Sequence, residues 1–158
     1  MLPFLRLVRA GTLLSPAADV TAGVCLLARP FDATATRAVL ASVLLYAAGM
    51  ILNDHADRAT DAVVRPERPI PSGSISPTTA LLLGLAFLLA APGLSPVPLW
   101  HGGMALLVLG YDYLLKRSPA LGALTMGTLR GMNLLVPLMM GPVTEPGRQE
   151  AALILAAG

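Results

Sequence analysis

The 158-residue sequence has a single cysteine, Cys25, so it can build neither an intramolecular disulfide nor a Cys-x-x-Cys zinc or redox site. Charge is equally scarce. Only 13% of the residues are Asp, Glu, Lys or Arg, against about 25% in average globular chains. Aromatic residues make up 4%, and the basic residues fall at segment ends rather than among aromatic rings. That distribution argues against a nucleic-acid surface, and no nucleic-acid partner is expected. What fills the space is apolar: 55% of the chain, with a mean hydropathy of +0.71. Too few charges remain to clothe a water-facing surface, so a bilayer is the expected solvent. The expected fold is an all-α, multi-spanning transmembrane bundle in one domain, residues 1–158.

A transmembrane helix needs about 20 mostly apolar residues. From Pro69 to Tyr111, 43 positions, there is no charged side chain at all, which is too long for one span. The cluster Pro92-Gly93-Leu94-Ser95-Pro96-Val97-Pro98 divides it into two, near 77–91 and 98–115. Upstream, Arg37–Asn53 reads as a span, and Thr12–Leu27 as a first one weakened by Pro16 and Asp19. That first segment has no small-residue cleavage site and is expected to be retained. Leu121–Gly141 is a fifth span, and a sixth begins at Ala151 and stops short at Gly158. With the N-terminus inside, the inner loops collect Arg6, Arg9, Arg58, Arg65, Arg68, Lys116 and Arg117. The outer side receives Arg29, Arg37 and Arg148. Seven against three favours that orientation and puts 53–68 on the cytoplasmic face, with the bacterial plasma membrane as the expected location.

One stretch carries chemistry. In Asn53-Asp54-His55-Ala56-Asp57-Arg58-Ala59-Thr60-Asp61, Asp54, Asp57 and Asp61 recur at i, i+3 and i+7, and Asn53, Asp57 and Asp61 at i, i+4 and i+8. Both series point one way from a helix continuing the second span. Each carboxylate deep in a membrane costs about 2.5–3.5 kcal/mol on insertion scales, so something positive should offset three of them. Oxygen-only ligands suit a hard cation, and Mg²⁺ is usually held by one or two carboxylates plus substrate phosphates. The alternative is an acidic helix end solvated at the interface. The next residues favour the first reading: Arg65-Pro66-Glu67-Arg68-Pro69-Ile70-Pro71-Ser72-Gly73 sets two guanidiniums in a proline-stiffened loop. Guanidinium forks match phosphate oxygens. Acids for Mg²⁺ beside arginines for phosphate make a diphosphate site.

These residues resemble the first aspartate-rich motif of the UbiA-type intramembrane prenyltransferases, the family of 4-hydroxybenzoate polyprenyltransferase. The resemblance continues in Tyr111-Asp112-Tyr113-Leu114-Leu115-Lys116-Arg117 and in Gly127-Thr128-Leu129-Arg130-Gly131-Met132-Asn133, and so covers essentially the whole chain. It implies a bundle of which five to six of about nine helices are present. It also implies Mg²⁺-dependent transfer of an isoprenyl group from a prenyl diphosphate to a small aromatic or lipid acceptor in the membrane. By the resemblance Asp54, Asp57 and Asp61 are catalytic, and with Asn53 they hold the metal; Arg65, Arg68, Lys116, Arg117 and Arg130 bind the diphosphate. Two departures stand out. The second aspartate-rich motif of the family, after the sixth helix, is absent, as expected of a truncated gene or a fragment. Asp112 puts an acid where the family is usually hydroxylic or apolar. The competing class is a non-catalytic relative that binds or carries prenyl lipids.

The other polar residues carry less. Arg130, mid-helix, needs Asp19 or Asp112 as an ion-pair partner, or else a place in the polar pocket. Asn133 lies on the same face. Tyr111 reads as an interfacial anchor, and His101, near the outer end of the fourth span, as an interfacial residue. His55 falls off the face the acids share. Gly127 and Gly131 form GxxxG and predict close helix packing. Met104, Met126, Met132, Met139 and Met140 read as filling residues, and Cys25 as a small apolar residue of the first helix.

Overall fold

Helix boundaries follow the capping and proline signals. The structure, a computed structural model, describes residues 2–141. Eight helices occur among them: α1 Leu2–Leu7, α2 Leu14–Leu26, α3 Ala33–Ala56, α4 Arg58–Val64, α5 Pro77–Leu94, α6 Pro98–Tyr113, α7 Pro119–Leu134 and α8 Val136–Met139. Short 3₁₀ turns lie at Ala10–Thr12 and Leu115–Arg117. Asp32 caps α3 by accepting from the Ala35 N–H at 2.9 Å, and Ser76 caps α5 by accepting from Thr79 N–H at 3.0 Å. Pro77, Pro98 and Pro119 open their helices, where a missing N–H does no harm. Pro16 sits in the first turn of α2 for the same reason, and so does not break that helix.

Each of the five expected spans has its helix, although the fifth ends at Leu134 and resumes as the short α8. The expected sixth span lies outside the described residues. Two helices are long and apolar enough to cross a bilayer by themselves, Ala33–Ala56 and Pro77–Leu94. At 1.5 Å per residue the 24-residue α3 is about 36 Å long, more than the hydrocarbon thickness. Its buried face is built on small residues, with Ala38, Ala41 and Ala48 fully covered, and α2, α5 and α6 pack around it. Leucines such as Leu89, Leu99 and Leu106 point outward, where a bilayer replaces water.

Close helix approach occurs at glycines other than those the GxxxG pattern singled out. A Cβ at Gly84 would lie 2.8 Å from Leu52 on α3, and one at Gly23 would lie 2.7 Å from the Leu134 carbonyl oxygen. Gly127 and Gly131 have no atom within 4 Å of such a Cβ, so the expected packing there is corrected. Gly127 borders a cavity instead of a helix.

His101 also departs from expectation. It is fully buried, not interfacial. Its Nε2 lies 3.1 Å from Ser42 Oγ on α3 and its Nδ1 2.7 Å from Ser95 Oγ, which in turn accepts from the Val97 N–H at 2.9 Å. A polar ring at membrane depth persists only if its nitrogens are satisfied, and the two serines do so. The trio ties α3, α5 and α6 together at the end of the bundle away from Asn53–Asp61.

Candidate active site

The polar end of the bundle is assembled by a small apolar cluster. Leu7, Val8, Ile51, Ile70 and Ala80 are buried together. Leu7 and Val8 bring Arg9 against the end of α3. Ile70 anchors the proline-rich loop, which is closed by Ser72 N–H to Arg68 O at 2.9 Å and Ile75 N–H to Pro69 O at 3.0 Å. Gly73, at φ 75°, supplies the left-handed residue that this turn requires. Anchored this way, Arg68 turns inward while Arg65 and Glu67 stay exposed.

Asp54 and Asp61 are buried, and Arg68 lies between them: its Nη1 donates to Asp54 Oδ1 at 3.2 Å and to Asp61 Oδ2 at 2.5 Å. Arg9 Nη2 donates to the same Asp54 oxygen at 3.0 Å. Across the bundle, Lys116 Nζ lies 2.6 Å from Asp57 Oδ1 and donates to Asn53 Oδ1 at 3.0 Å. Three acids thus meet three bases at one end, on the same side as one another, as the orientation count requires.

The three carboxylates do not meet at one point in this structure. Among the described residues no three His, Cys, Asp or Glu side chains are grouped to hold a metal. The reason is local. The helix breaks at Asp57, which separates α3 from α4, and basic side chains arrive from two directions. Asp54 and Asp61 turn to the loop arginine, whereas Asp57 and Asn53 turn to Lys116. Each of the three acids has a basic partner in this arrangement.

Of the other expected diphosphate ligands, Arg65 and Arg117 are exposed at the rim. Arg130 pairs with Asp19, Nη2 to Oδ1 at 3.3 Å, so the ion-pair reading of that residue describes its contact. Asn133 donates to the Pro16 carbonyl at 3.1 Å. His55 is turned to the Tyr113 hydroxyl, 3.1 Å away, and is not turned to the acids. Arg9 is the residue sequence reasoning missed. It precedes its partner by 45 positions, and nothing in its neighbourhood distinguishes it from an ordinary inner-face arginine.

Between α2, α3, α6 and α7 lies a cavity of about 340 Å³. Leu45, Met50, Met104, Val108 and Leu129 make it mostly apolar, while Asp19, Asp112 and Arg130 interrupt it. Tyr111, expected as an interfacial anchor, lines it too.

Comparison with known proteins agrees with this geometry. Residues 19–157 match the family model of the UbiA prenyltransferase family. A digeranylgeranylglyceryl phosphate synthase from Haloquadratum walsbyi is 34% identical over 146 residues, 89% of this chain and 50% of that protein. The synthase of the same name from Methanopyrus kandleri is 29% identical over 92% of this chain and 56% of its own length. The one from Ignicoccus hospitalis is 41% identical over 70% and 37%. The chain therefore spans about half the length of the curated relatives it matches. These relatives are archaeal and lend no support to a bacterial membrane. A solved structure described for digeranylgeranylglyceryl phosphate synthase in membranes has the same fold, with a TM-score of 0.81 over 89% of this chain and 53% of that one at 22% identity. The fold, the motif order and the family match agree: this chain is an integral membrane protein of the UbiA prenyltransferase family.

Proposed function

We propose that the polar end of the bundle binds a prenyl diphosphate and that the protein transfers the isoprenyl group to a lipid acceptor held in the membrane. The single observation that carries this reading is the meeting of Asp54, Asp57 and Asp61 with Arg9, Arg68 and Lys116 beside an apolar cavity. The acceptor follows from the relatives' name, which points to a glyceryl phosphate lipid. The seven-to-three distribution of basic residues supports a cytoplasmic location for this end.

The donor set suits a hard cation: Asn53, Asp54, Asp57 and Asp61 offer oxygen only, and the three carboxylates would hold Mg²⁺ once Lys116 and Arg68 move to phosphate. When bound, Mg²⁺ supplies charge neutralisation to a diphosphate leaving group. The side chains do the rest. Arg68 and Arg9 can each exchange a carboxylate for a phosphate oxygen, and Arg68 is aimed by its loop to do so. Lys116 brings a third cation from the opposite wall. The apolar cavity keeps water from the allylic carbon that the departing diphosphate exposes.

Titration of a fluorescent prenyl diphosphate into the detergent-solubilised protein tests the reading. Binding should be at least about tenfold tighter with Mg²⁺ than with chelator, because a diphosphate near three carboxylates is repelled without a divalent bridge. Asp57→Asn should weaken the Mg²⁺-dependent part, and Arg68→Ala should weaken binding even at saturating metal. Equal binding in both conditions, with Asp57→Asn unchanged, would reduce the acid–base cluster to structural ion pairs.

A further inference from the structure

Arg9 reaches the acids from a strained backbone. Its φ of 49° and ψ of 55° are left-handed, a conformation that residues with a Cβ rarely adopt. Its N–H donates to the Arg6 carbonyl at 3.1 Å. Its own carbonyl accepts from the Thr12 N–H at 2.8 Å and from the Thr12 hydroxyl at 2.9 Å. Strain of this kind persists only where the surrounding structure over-determines it, and it clusters at ligand clamps and switches. Here it delivers Arg9 Nη2 to Asp54 Oδ1, 3.0 Å away.

That oxygen carries two guanidiniums. Arg68 also donates to it, at 3.2 Å, but the same Arg68 nitrogen lies closer to Asp61, at 2.5 Å. Arg9 is therefore the nearer cation on Asp54. It is also the most open of the three bases, with its side chain 38% exposed against 18% for Arg68 and 19% for Lys116. With Arg9 in place three acids face three bases, and their formal charges cancel. A divalent cation arriving alone has to drive Arg9 off Asp54 and into water, with no new partner for it. Arrival together with a diphosphate is different, because phosphate oxygens receive the guanidinium as the carboxylate releases it.

We infer that Arg9 is a latch on Asp54: it keeps divalent cations off this carboxylate until a diphosphate offers the guanidinium another anion. Metal and diphosphate then load as a pair. The inference rests on the proposed diphosphate site and adds its regulation. Coupling between two ligands is reciprocal, and the latch assigns that coupling to one residue.

Mn²⁺, a hard cation that suits oxygen ligands, is the probe. The electron paramagnetic resonance signal of free Mn²⁺ gives its affinity for the protein in nanodiscs, with and without the fluorescent prenyl diphosphate. Wild type should bind Mn²⁺ at least about tenfold tighter with the diphosphate than without it. Arg9→Gln should bind Mn²⁺ alone about tenfold tighter than wild type, the order expected of one charge-assisted hydrogen bond, and should lose most of the coupling. Arg9→Lys, which keeps the charge, should stay near wild type. Adding Asp54→Asn to Arg9→Gln should remove the gain. Arg9→Gln binding Mn²⁺ alone no tighter than wild type, with Mg²⁺-dependent diphosphate binding intact, overturns the inference and leaves the proposed function standing. A gain that survives Asp54→Asn also overturns it. The gain without diphosphate binding under any condition supports Arg9 as the group that shields Asp54 and sinks the proposed function instead. Should Arg9→Gln fail to fold, wild type decides through the NMR signal of the Arg9 guanidinium. That signal should shift with Mg²⁺ and the diphosphate together; an equal shift with Mg²⁺ alone, or none with both, overturns the latch.

Discussion

Removing Arg68 should unfold the protein more readily, and the loss should be traceable to one carboxylate. The Arg68 side chain is 18% exposed, and the side chains of Asp54 and Asp61 that it joins are 5% and 7% exposed. Breaking a buried ion pair by deleting one partner costs about 3–5 kcal/mol, because the remaining charge is stranded. In Arg68→Ala, Asp54 keeps Arg9 at 3.0 Å, so Asp61 is the stranded group. The loss should fall at the lower end, about 3 kcal/mol. With about 2–4 °C per kcal/mol for chains of this size, the melting temperature should drop by about 6–12 °C. Trp100, the single tryptophan, donates to the Met132 carbonyl at 3.0 Å at the far end of the bundle. Its fluorescence therefore follows global unfolding and not a local change near Arg68. Adding Asp61→Asn to Arg68→Ala should recover most of the loss, whereas Asp61→Asn alone should be mildly destabilising. The coupling in that double-mutant cycle is the quantity to measure. If Arg68→Ala melts within about 2 °C of wild type, or if Asp61→Asn deepens its loss, Arg68 does not neutralise a buried carboxylate.

Lys116→Met should change stability by less than about 1 kcal/mol, since its partner Asp57 is 36% exposed, yet weaken prenyl diphosphate binding about tenfold; calorimetric titration together with a melt separates the two. His101→Leu strands Ser42 and Ser95, which should lower stability by about 2–4 kcal/mol with diphosphate affinity unchanged, as a parallel melt and titration would show. Gly23→Ala should destabilise by about 1–3 kcal/mol because its Cβ meets a backbone oxygen, while Gly127→Ala should be neutral or slightly stabilising; equal melting temperatures for the two would contradict the packing.

The spans were legible because their limits are written locally. No charge falls between Pro69 and Tyr111, and the Pro92–Pro98 cluster divides that stretch where α5 gives way to α6. The acid–arginine composite was legible for the same reason, with Asp54 and Arg68 only 14 residues apart. What escaped depends on distant partners. Arg9 acquires its role from Leu7 and Val8 docking on Ile51, and His101 from a serine 59 residues away. The GxxxG pattern marks a smooth helix face without saying whether a helix or a cavity lies opposite. The split of the acids was hidden too, since residue spacing fixes a helix face but not which base reaches it first.

The three cations reach the acids over very different lengths of chain, and that orders the site's assembly. Arg68 pairs with Asp61 across 7 positions and with Asp54 across 14, so one hairpin suffices. Arg9 closes 45, and must wait until α2 and α3 lie side by side. Lys116 closes 63 on Asn53, and arrives only after α5 and α6 have been inserted. Contacts of long sequence separation form late because ordering the intervening chain comes first. During synthesis Asp61 is therefore shielded early, whereas Asp57 stays a bare carboxylate at the membrane edge until α6 is in place. Carbodiimide labelling of nascent chains halted after α5 should mark Asp57 and spare Asp61; equal labelling of both would rule out this order.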